Sequence, residues 1–310
     1  MRFVSRGIAA LLGIGIASIS SRAMSPTSFA IAQDQDFSQV EIETIPVAED
    51  VYMLTGEGGN IGVAVSEDGV LLVDDQFAPL TEKIEAAVAD ISDLPIQFLI
   101  NTHWHFDHTG GNENLGNAGV VIVAHDEVYT RMSTEQTIEA FQRTIPPSPD
   151  AALPQITFND TATFHLAGKT IKGMHVESAH TDGDTVIHFP DVNVIHTGDV
   201  YFNGLYPFID ASSGGSIAGM IRAVEKTLSL ADDETKIIPG HGALSNRQEL
   251  EAFRDMLVDV KLRTEKAIAE GLTLEEYIAS KPTADYDEAW GGGFLKPEDF
   301  ITIVYNSLAE

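Results

Sequence analysis

The segment that decides the fold is Asn101-Thr102-His103-Trp104-His105-Phe106-Asp107-His108. Half of its side chains are histidine or aspartate, which bind divalent metals such as zinc through nitrogen and oxygen. If the segment leaves a strand in extended form, His103 and His105 point to the same side and can hold one cation, while a turn carries Asp107 and His108 to a second. An incomplete ligand set leaves room for water, which is typical of catalytic metal sites. The alternative is a histidine-rich surface loop that binds nothing, and the regular spacing after an apolar segment argues against it.

Hydrophobic patterning places this octapeptide at the end of a buried strand. Residues 61–65 and 70–73 are apolar runs separated by a short turn, which predicts two paired strands. A helix is predicted next from apolar residues at helical spacing, with Thr81 as its N-cap. The short run Phe98-Leu99-Ile100 then predicts a strand whose C-terminal end carries the octapeptide, where α/β sheets usually keep their chemistry.

The second half of the chain repeats this organisation. Residues 130–159 have no periodicity and contain four prolines, which predicts a lid or pocket wall. Residues 161–200 are rich in strand-like runs, and a helix capped by Ser216 follows them. A mostly helical C-terminal part, residues 246–310, begins with an Asn246–Glu249 capping box. Two groups of strands, each closed by helices, predict an α/β fold in which two sheets pack face to face with helices outside.

Three further metal-binding side chains stand just past strand-like runs. His180 lies in Ala179-His180-Thr181-Asp182-Gly183-Asp184, Asp199 in His196-Thr197-Gly198-Asp199, and His241 in Pro239-Gly240-His241-Gly242. Each lies beside a glycine or another turn signal, which predicts presentation at a sheet edge. Two adjacent metals need more ligands than the octapeptide supplies, and these residues are the candidates that complete the set.

These motifs resemble those of the metallo-β-lactamase superfamily of dinuclear zinc hydrolases, in which a histidine-rich octapeptide is followed by His, Asp (or Cys or Ser) and His. The resemblance covers about residues 45–245 and implies an αββα sandwich with the metal site in the groove between the sheets. It implies two zinc ions per chain, one held by His103, His105 and His180 and the other by Asp107, His108 and His241, with Asp199 as the bridging carboxylate. It further implies that Asp107 is catalytic and orients the attacking water.

Other polar residues near these motifs have two interpretations each. Asp74 matches an early aspartate that supports the metal site in this superfamily, and it is equally well explained as a turn former at a strand end. The five remaining histidines lack partners at the motif positions, so we predict that they are packing or surface residues rather than ligands. They are His125, His165, His175, His188 and His196.

The resemblance is greatest to an exported metallo-β-lactamase with aspartate in place of the usual cysteine or serine, and it implies hydrolysis of a β-lactam amide. One departure is Asp199 itself. A second is that Val200, Tyr201 and Phe202 follow it, where a lysine would grip the substrate carboxylate. That grip is instead expected from Asn203, or from residues 212–216 ahead of a helix N-terminus.

Aspartate at position 199 is usual in lactonases and thioesterases of the superfamily, so a lactonase or other ester or thioester hydrolase is the alternative. Leu205, Tyr206, Phe208 and Ile209 are candidates for the lining of an acyl pocket. A glutathione thioesterase is disfavoured, because its substrate is anionic and the chain is acidic. An iron-dependent oxygenase and a non-catalytic periplasmic metal-binding protein are the remaining hypotheses, and metal content would separate the oxygenase from a zinc hydrolase.

The N-terminal segment predicts export. Residues 1–32 contain three arginines, no acidic residue, an apolar run and a small-residue site at Ala30-Ile31-Ala32, as in a signal peptide. Cleavage near Ser21 or Ala23 is the alternative. No later segment is apolar for the length of a bilayer, so no membrane contact is expected once the leader is removed. The mature protein, residues 33–310, is predicted to be a single domain located in the periplasm.

Composition limits the partners and the ligand chemistry. The net charge of −29 becomes still more negative without the leader, and such a surface repels polyanions and argues against nucleic acid. The absence of cysteine excludes disulfides and thiolate ligands, so every protein ligand must be nitrogen or oxygen. The expected partner is therefore a small-molecule substrate.

Overall fold

The structure is a computed structural model that describes residues 36–166 and 168–309, so the predicted leader at residues 1–32 lies outside it. Within the described residues, one sheet has seven strands. In spatial order they are β1 (Glu43–Ala48), β2 (Val51–Thr55), β3 (Ile61–Ser66), β4 (Gly69–Val73), β5 (Ile96–Ile100), β6 (Val121–His125) and β9 (Ile156–Phe158). The pairs from β1 to β4 are antiparallel, and those from β4 to β9 are parallel.

The second sheet has six strands among the described residues. In order they are β10 (Thr161–Leu166), β11 (Lys169–His175), β12 (Thr185–Phe189), β13 (Val194–His196), β14 (Lys236–Ile238) and β15 (Ser245–Asn246). Only the pair of β13 and β14 is parallel within this sheet. A separate hairpin of β7 (Gln136–Ile138) and β8 (Arg143–Ile145) lies in the stretch predicted as a lid or pocket wall.

Helices cover both outer faces. Those described are α1 (Thr81–Ile91), α2 (Phe106–Thr109), α3 (Asn112–Asn117), α4 (Asp126–Met132), α5 (Ile217–Leu228), α6 (Arg247–Ala269), α7 (Leu274–Ala279), α8 (Asp287–Trp290) and α9 (Pro297–Ala309). None of the helices in residues 36–166 and 168–309 combines the length and apolarity needed to cross a bilayer.

Three apolar clusters hold these layers together. The cluster between the sheets joins Val73 and Ile100 of the first sheet to Ile187 and Ile238 of the second. A second cluster packs α1 on the outer face of the first sheet, and a third packs α5, α6 and α9 on the second. Every residue of β4 is buried, which explains its continuous apolar sequence, because this strand is covered on both faces. The predicted α/β sandwich with C-terminal helices is confirmed.

Local details differ from the sequence expectations at two helix starts. Thr81 does not cap α1, because a 3-10 turn at Ala78–Leu80 precedes the helix and the Thr81 hydroxyl donates to the carbonyl of Ala78. Asn246 does cap α6, by accepting from the backbone N–H of Glu249. The Glu249 carboxylate accepts from Ser245 Oγ rather than completing a capping box.

Candidate metal centre

The sheet topology brings the candidate ligands to one edge of the sandwich. The octapeptide follows β5, whose parallel neighbours end at the same edge. In the second sheet His180 follows β11, Asp199 follows β13 and His241 follows β14. Because β11 and β13 are both antiparallel to β12, and β14 is parallel to β13, these three strand ends also lie together. The site is therefore built from both sheets.

The octapeptide is not extended as far as predicted, because its backbone bends at residues 102–104 directly after β5. Its backbone is extended at His105 (φ −65°, ψ 146°), after which the short helix α2 turns the chain. The rings of His103 and His105 lie 4.9 Å apart between centroids. Asp107 and His108 occupy the first turn of α2, so the turn carries them away from the first pair.

The first ligand cluster consists of His103, His105 and His180, whose ligand atoms all lie within 4.8 Å of one another. Nδ1 of His105 lies 2.8 Å from Nε2 of His180. Nε2 of His103 is fully buried and has no hydrogen-bond partner among the described residues. A buried nitrogen of this kind is costly unless something binds it, so the cluster fits a cation held by three imidazoles.

The second cluster consists of Asp107, His108 and His241. Nε2 of His241 lies 3.3 Å from Oδ2 of Asp107 and 3.4 Å from Nε2 of His108. Two nitrogens and one carboxylate oxygen form a second N/O set of the type that binds divalent metals.

Asp199 lies between the two clusters. Its Oδ1 is 3.1 Å from Nε2 of His108 and 3.4 Å from Nε2 of His241. Its Oδ2 is 3.5 Å from Nε2 of His180 and 3.8 Å from Nε2 of His103. One carboxylate thus faces both clusters, one oxygen toward each, which is the geometry of a bridging ligand.

The protonation states of His103, His180 and Asp107 suit metal binding. Burial lowers the pKa of His103 well below its usual value and that of His180 to about 4, so both imidazoles are neutral near pH 7. Burial raises the pKa of Asp107, but His108 and His241 outweigh it and bring the pKa to about 2. Neutral imidazole and ionised carboxylate are the forms that coordinate metal.

A family model described as the metallo-beta-lactamase superfamily matches residues 54–241. The chain belongs to this superfamily. It is 25% identical over 282 residues to the lactamase-like protein aptB of Emericella nidulans, covering 87% of this chain and 79% of that protein. It is 24% identical over 203 residues to a hydroxyacylglutathione hydrolase of Polaromonas sp., covering 63% and 66%. Among solved structures, the metallo-beta-lactamase from Pontibacter korlensis superposes with a TM-score of 0.57 at 17% identity, covering 71% of this chain and all of that one (100%), which shows a shared fold.

Asp74 contacts two residues of the octapeptide, Thr102 and His108. Its Oδ1 accepts from the backbone N–H of Thr102 at 2.7 Å, and its Oδ2 accepts from Thr102 Oγ1 at 2.7 Å and from His108 Nδ1 at 2.8 Å. Its backbone is left-handed, with φ 63° at the end of β4. These contacts agree with the interpretation of Asp74 as a support for the site, whereas its left-handed backbone lies in the irregular segment 74–77 rather than in a turn.

Asp210 is a supporting residue that the sequence did not reveal. Its Oδ2 lies 3.1 Å from Nε2 of His105 and accepts from Ser213 Oγ at 2.5 Å. Burial opposes the charged form of Asp210, but the bond to His105 holds its pKa below the usual range. The residue lies in a loop without periodicity, and its only sequence signal is a carboxylate ahead of two serines.

His180 is held by Phe208 and Asp184, two residues whose role the sequence did not predict. Its Nδ1 donates to the carbonyl of Phe208 at 2.8 Å, which leaves Nε2 for the first cluster. The backbone N–H groups of His180 and Thr181 donate to Asp184 Oδ2 at 2.6 and 2.8 Å. These bonds fix both the ring and the loop that carries it.

The five remaining histidines lie outside the ligand clusters of the described residues. His196 is buried, with Nε2 donating to the carbonyl of Asn60 at 3.0 Å and Nδ1 accepting from the backbone N–H of Gly198 at 3.1 Å. His125 and His175 stack on each other, with centroids 3.8 Å apart. His165 lies exposed on β10, and His188 is half-buried on β12.

A cavity of about 320 Å³ opens onto the second cluster. Its walls are mainly aromatic, with Phe77, Phe106, Phe141, Phe202, Phe208 and Phe294 among the lining residues. Of the four residues expected to line an acyl pocket, Phe208 alone lines this cavity. Leu205, Tyr206 and Ile209 pack in the apolar cluster that holds α5, α6 and α9 on the second sheet. An aromatic chamber beside the metal ligands suits a substrate with an apolar group.

The residues expected to grip a substrate carboxylate, Asn203 and residues 212–216, do not line this cavity. The Asn203 side chain donates to the carbonyl of Ala243 and accepts from Tyr201, outside the cavity lining. Ser212 and Ser213 both donate to Asp210. Instead, the cavity is lined by one arginine, Arg143, that the sequence did not single out.

Proposed function

We propose that this protein is a metal-dependent hydrolase that opens a β-lactam amide bond, with two zinc ions per chain as cofactor. The superfamily is one of metallo-hydrolases, and the observation that carries the proposal is the position of Asp199 between two complete N/O clusters. A single structural metal would need only one of those clusters, so the shared carboxylate favours a dinuclear hydrolytic centre. It argues likewise against a purely non-catalytic metal carrier.

The residues present fit two zinc ions, because every donor is nitrogen or oxygen and Nε2 of His103 has no other partner among the described residues. Such ions supply Lewis acidity and a water that is nucleophilic near neutral pH. His103, His105 and His180 would hold the first ion, and Asp107, His108 and His241 the second, with Asp199 shared.

Of the two carboxylates in the ligand clusters, Asp107 is the more exposed to the cavity. Its side chain is 23% exposed and lines the cavity, whereas that of Asp199 is 5% exposed. A pKa of about 2 keeps Asp107 ionised at neutral pH. We assign to Asp107 the roles of orienting the attacking water and receiving its proton.

The cavity favours a compact acyl substrate. Its aromatic walls match an apolar side chain, and the carbonyl carbon of a strained ring would reach the ligand clusters beside Asp107. Close placement of the carbonyl beside the nucleophile contributes to the rate by removing the entropy of encounter.

A second candidate, a lactone, ester or thioester hydrolase, is favoured by one specific observation. The bridging position holds an aspartate, and the lining residue beside it in sequence is Phe202, which stacks on the ring of His241 with centroids 5.2 Å apart, rather than a lysine. The likeness to a hydroxyacylglutathione hydrolase supports the same candidate.

We further propose that the protein acts outside the cytoplasm as an exported, periplasmic enzyme, because residues 1–32 have the features of a signal peptide. A β-lactam or a lactone is a substrate that would be met there. The acidic surface supports a small-molecule substrate rather than nucleic acid.

The test compares substrates on one preparation. Zinc-loaded protein comprising residues 33–310 is assayed by steady-state kinetics with benzylpenicillin and with an N-acyl homoserine lactone. The proposal predicts a larger kcat/KM for the penicillin. Turnover of the lactone with penicillin hydrolysis near the uncatalysed rate would overturn the first candidate in favour of the second.

A further inference from the structure

The hairpin of β7 and β8 forms one wall of the cavity and is fixed to its surroundings. Ile138, at the end of β7, is buried in the same apolar cluster as α5, α6 and α9. Phe141 packs on Phe208 with ring centroids 4.6 Å apart. The backbone N–H of Glu139 donates to Ser212 Oγ at 3.3 Å. These contacts hold the hairpin in one position over the metal centre, so a side chain on β8 has a defined place in the cavity.

Arg143 is that side chain. It pairs across the hairpin with Ile138, and its guanidinium carbon lies 4.5 Å from the centroid of the Phe106 ring. Phe106 stands in the octapeptide between His105 and Asp107, so the guanidinium lies beside the reacting centre. A cation over an aromatic face is attracted by the ring and is held without being neutralised.

Arg143 differs in its partners from four of the other five arginines in residues 36–166 and 168–309. Four described arginines form ion pairs with aspartate or glutamate, namely Arg131, Arg247, Arg254 and Arg263. No carboxylate among residues 36–166 and 168–309 lies within ion-pair distance of Arg143. In a chain with a net charge of −29, a cavity-lining arginine without an acidic partner has donors available to a ligand.

The other charges of the cavity point to an anionic ligand group. Its lining carboxylates are Glu57, Asp107 and Asp199, and the last two belong to the ligand clusters. Once these two serve as metal ligands, Glu57 and Arg143 are the lining side chains whose charges remain, and of the two only Arg143 can pair with an anionic group. Guanidinium binds carboxylate through paired, charge-assisted hydrogen bonds.

We propose that Arg143 determines specificity by binding a carboxylate of the substrate, so that the preferred substrates are monoanions with an apolar or aromatic group. The proposal deepens the proposed function, on which it rests for the identity of the reacting bond. It also supplies the carboxylate grip that neither Asn203 nor residues 212–216 provide.

The direct test measures binding and needs no turnover. Calorimetry on zinc-loaded protein compares 3-phenylpropanoate with the neutral 3-phenylpropanamide for the wild type, Arg143→Gln and Arg143→Lys. The wild type should prefer the acid, and Arg143→Gln should weaken acid binding by about 10- to 100-fold, as expected for loss of a charged hydrogen bond, while leaving amide binding unchanged. Arg143→Lys should restore part of the preference.

A matched control removes one positive charge at a position outside the cavity lining. Arg222→Gln removes an exposed cation of α5 and should leave the acid-to-amide ratio unchanged. An unchanged ratio in Arg143→Gln, or an equal loss for both ligands, would overturn the proposal.

A second arm separates this proposal from the proposed function. The kcat/KM values for benzylpenicillin and its methyl ester are compared in the same variants, and Arg143→Gln should lower only the value for the free acid. Absence of hydrolysis of both compounds would refute β-lactam turnover, while the calorimetric ratio would still decide the role of Arg143.

Discussion

Oδ2 of Asp74 accepts a hydrogen bond from Nδ1 of His108 at 2.8 Å, with both side chains fully buried. This bond engages Nδ1 and leaves Nε2 facing Asp199 and His241. Asp210 has the corresponding relation to Nε2 of His105, whose Nδ1 faces His180. Each ligand cluster thus has one buried carboxylate that orients one of its histidines.

We predict that Asp74→Asn lowers the affinity of the second cluster for zinc by about 10- to 100-fold, because the amide can donate as well as accept and no longer fixes the His108 tautomer. Asp210→Asn should weaken the first cluster in the same way. Competition with a chromogenic chelator measures both affinities. Equal losses at both clusters in each variant would contradict the separate roles assigned to the two carboxylates.

Asp107→Ala should lower kcat by at least about 100-fold, because it removes the group that orients water and receives its proton. The variant should still retain zinc in the cluster of three histidines, which does not include Asp107. Kinetics together with metal analysis check the two parts. Glu57→Gln is the matched control, since Glu57 lines the same cavity outside the ligand clusters and its loss should leave kcat within about tenfold. Near-normal turnover by Asp107→Ala would refute the assignment.

Gly59 packs closely against the ring of His108. A Cβ at this position would lie 2.1 Å from Cε1 and 2.6 Å from Nδ1 of the His108 ring. Gly59→Ala should therefore displace His108, weaken zinc binding and lower the free energy of unfolding by about 1–3 kcal/mol. Gly292→Ala, where an added Cβ meets nothing within 4 Å, should change stability by less than about 0.5 kcal/mol. Equal zinc affinities in the two variants, measured by chelator competition, would be inconsistent with this packing.

The stacked pair of His125 and His175 should make stability depend on pH. Burial is the largest cause that lowers both pKa values, and His125 lowers that of His175 further. The unfolded chain then binds protons more tightly than the folded chain, so stability is fully present above the usual histidine pKa of about 6.5 and decreases as pH falls below it.

Urea denaturation of metal-free protein at pH 7.5 and pH 5.5 measures this loss. His175→Gln should reduce the difference in free energy of unfolding between the two pH values, because one member of the pair no longer titrates. His165→Gln, a change at an exposed histidine of β10, should leave the difference unaltered. A wild-type pH difference retained in His175→Gln would show that the pair does not contribute.

The sequence predicted the layered fold and the residues that meet at the sheet edge, because both follow from local patterns. Apolar runs placed the strands, and turn signals marked His180, Asp199 and His241 at strand ends. The role of Asp210 was not predicted, because its contact with His105 spans 105 residues and depends on how the chain folds. The proline-containing stretch indicated a pocket wall, but only the hairpin register shows that Arg143 lines the cavity.

The most direct test of the central claim is a crystal structure of the zinc-loaded protein with anomalous data at the zinc edge. We predict two anomalous peaks, one among His103, His105 and His180 and the other among Asp107, His108 and His241, with Asp199 in contact with both. A single peak, or no peak at these residues after zinc loading, would contradict the account.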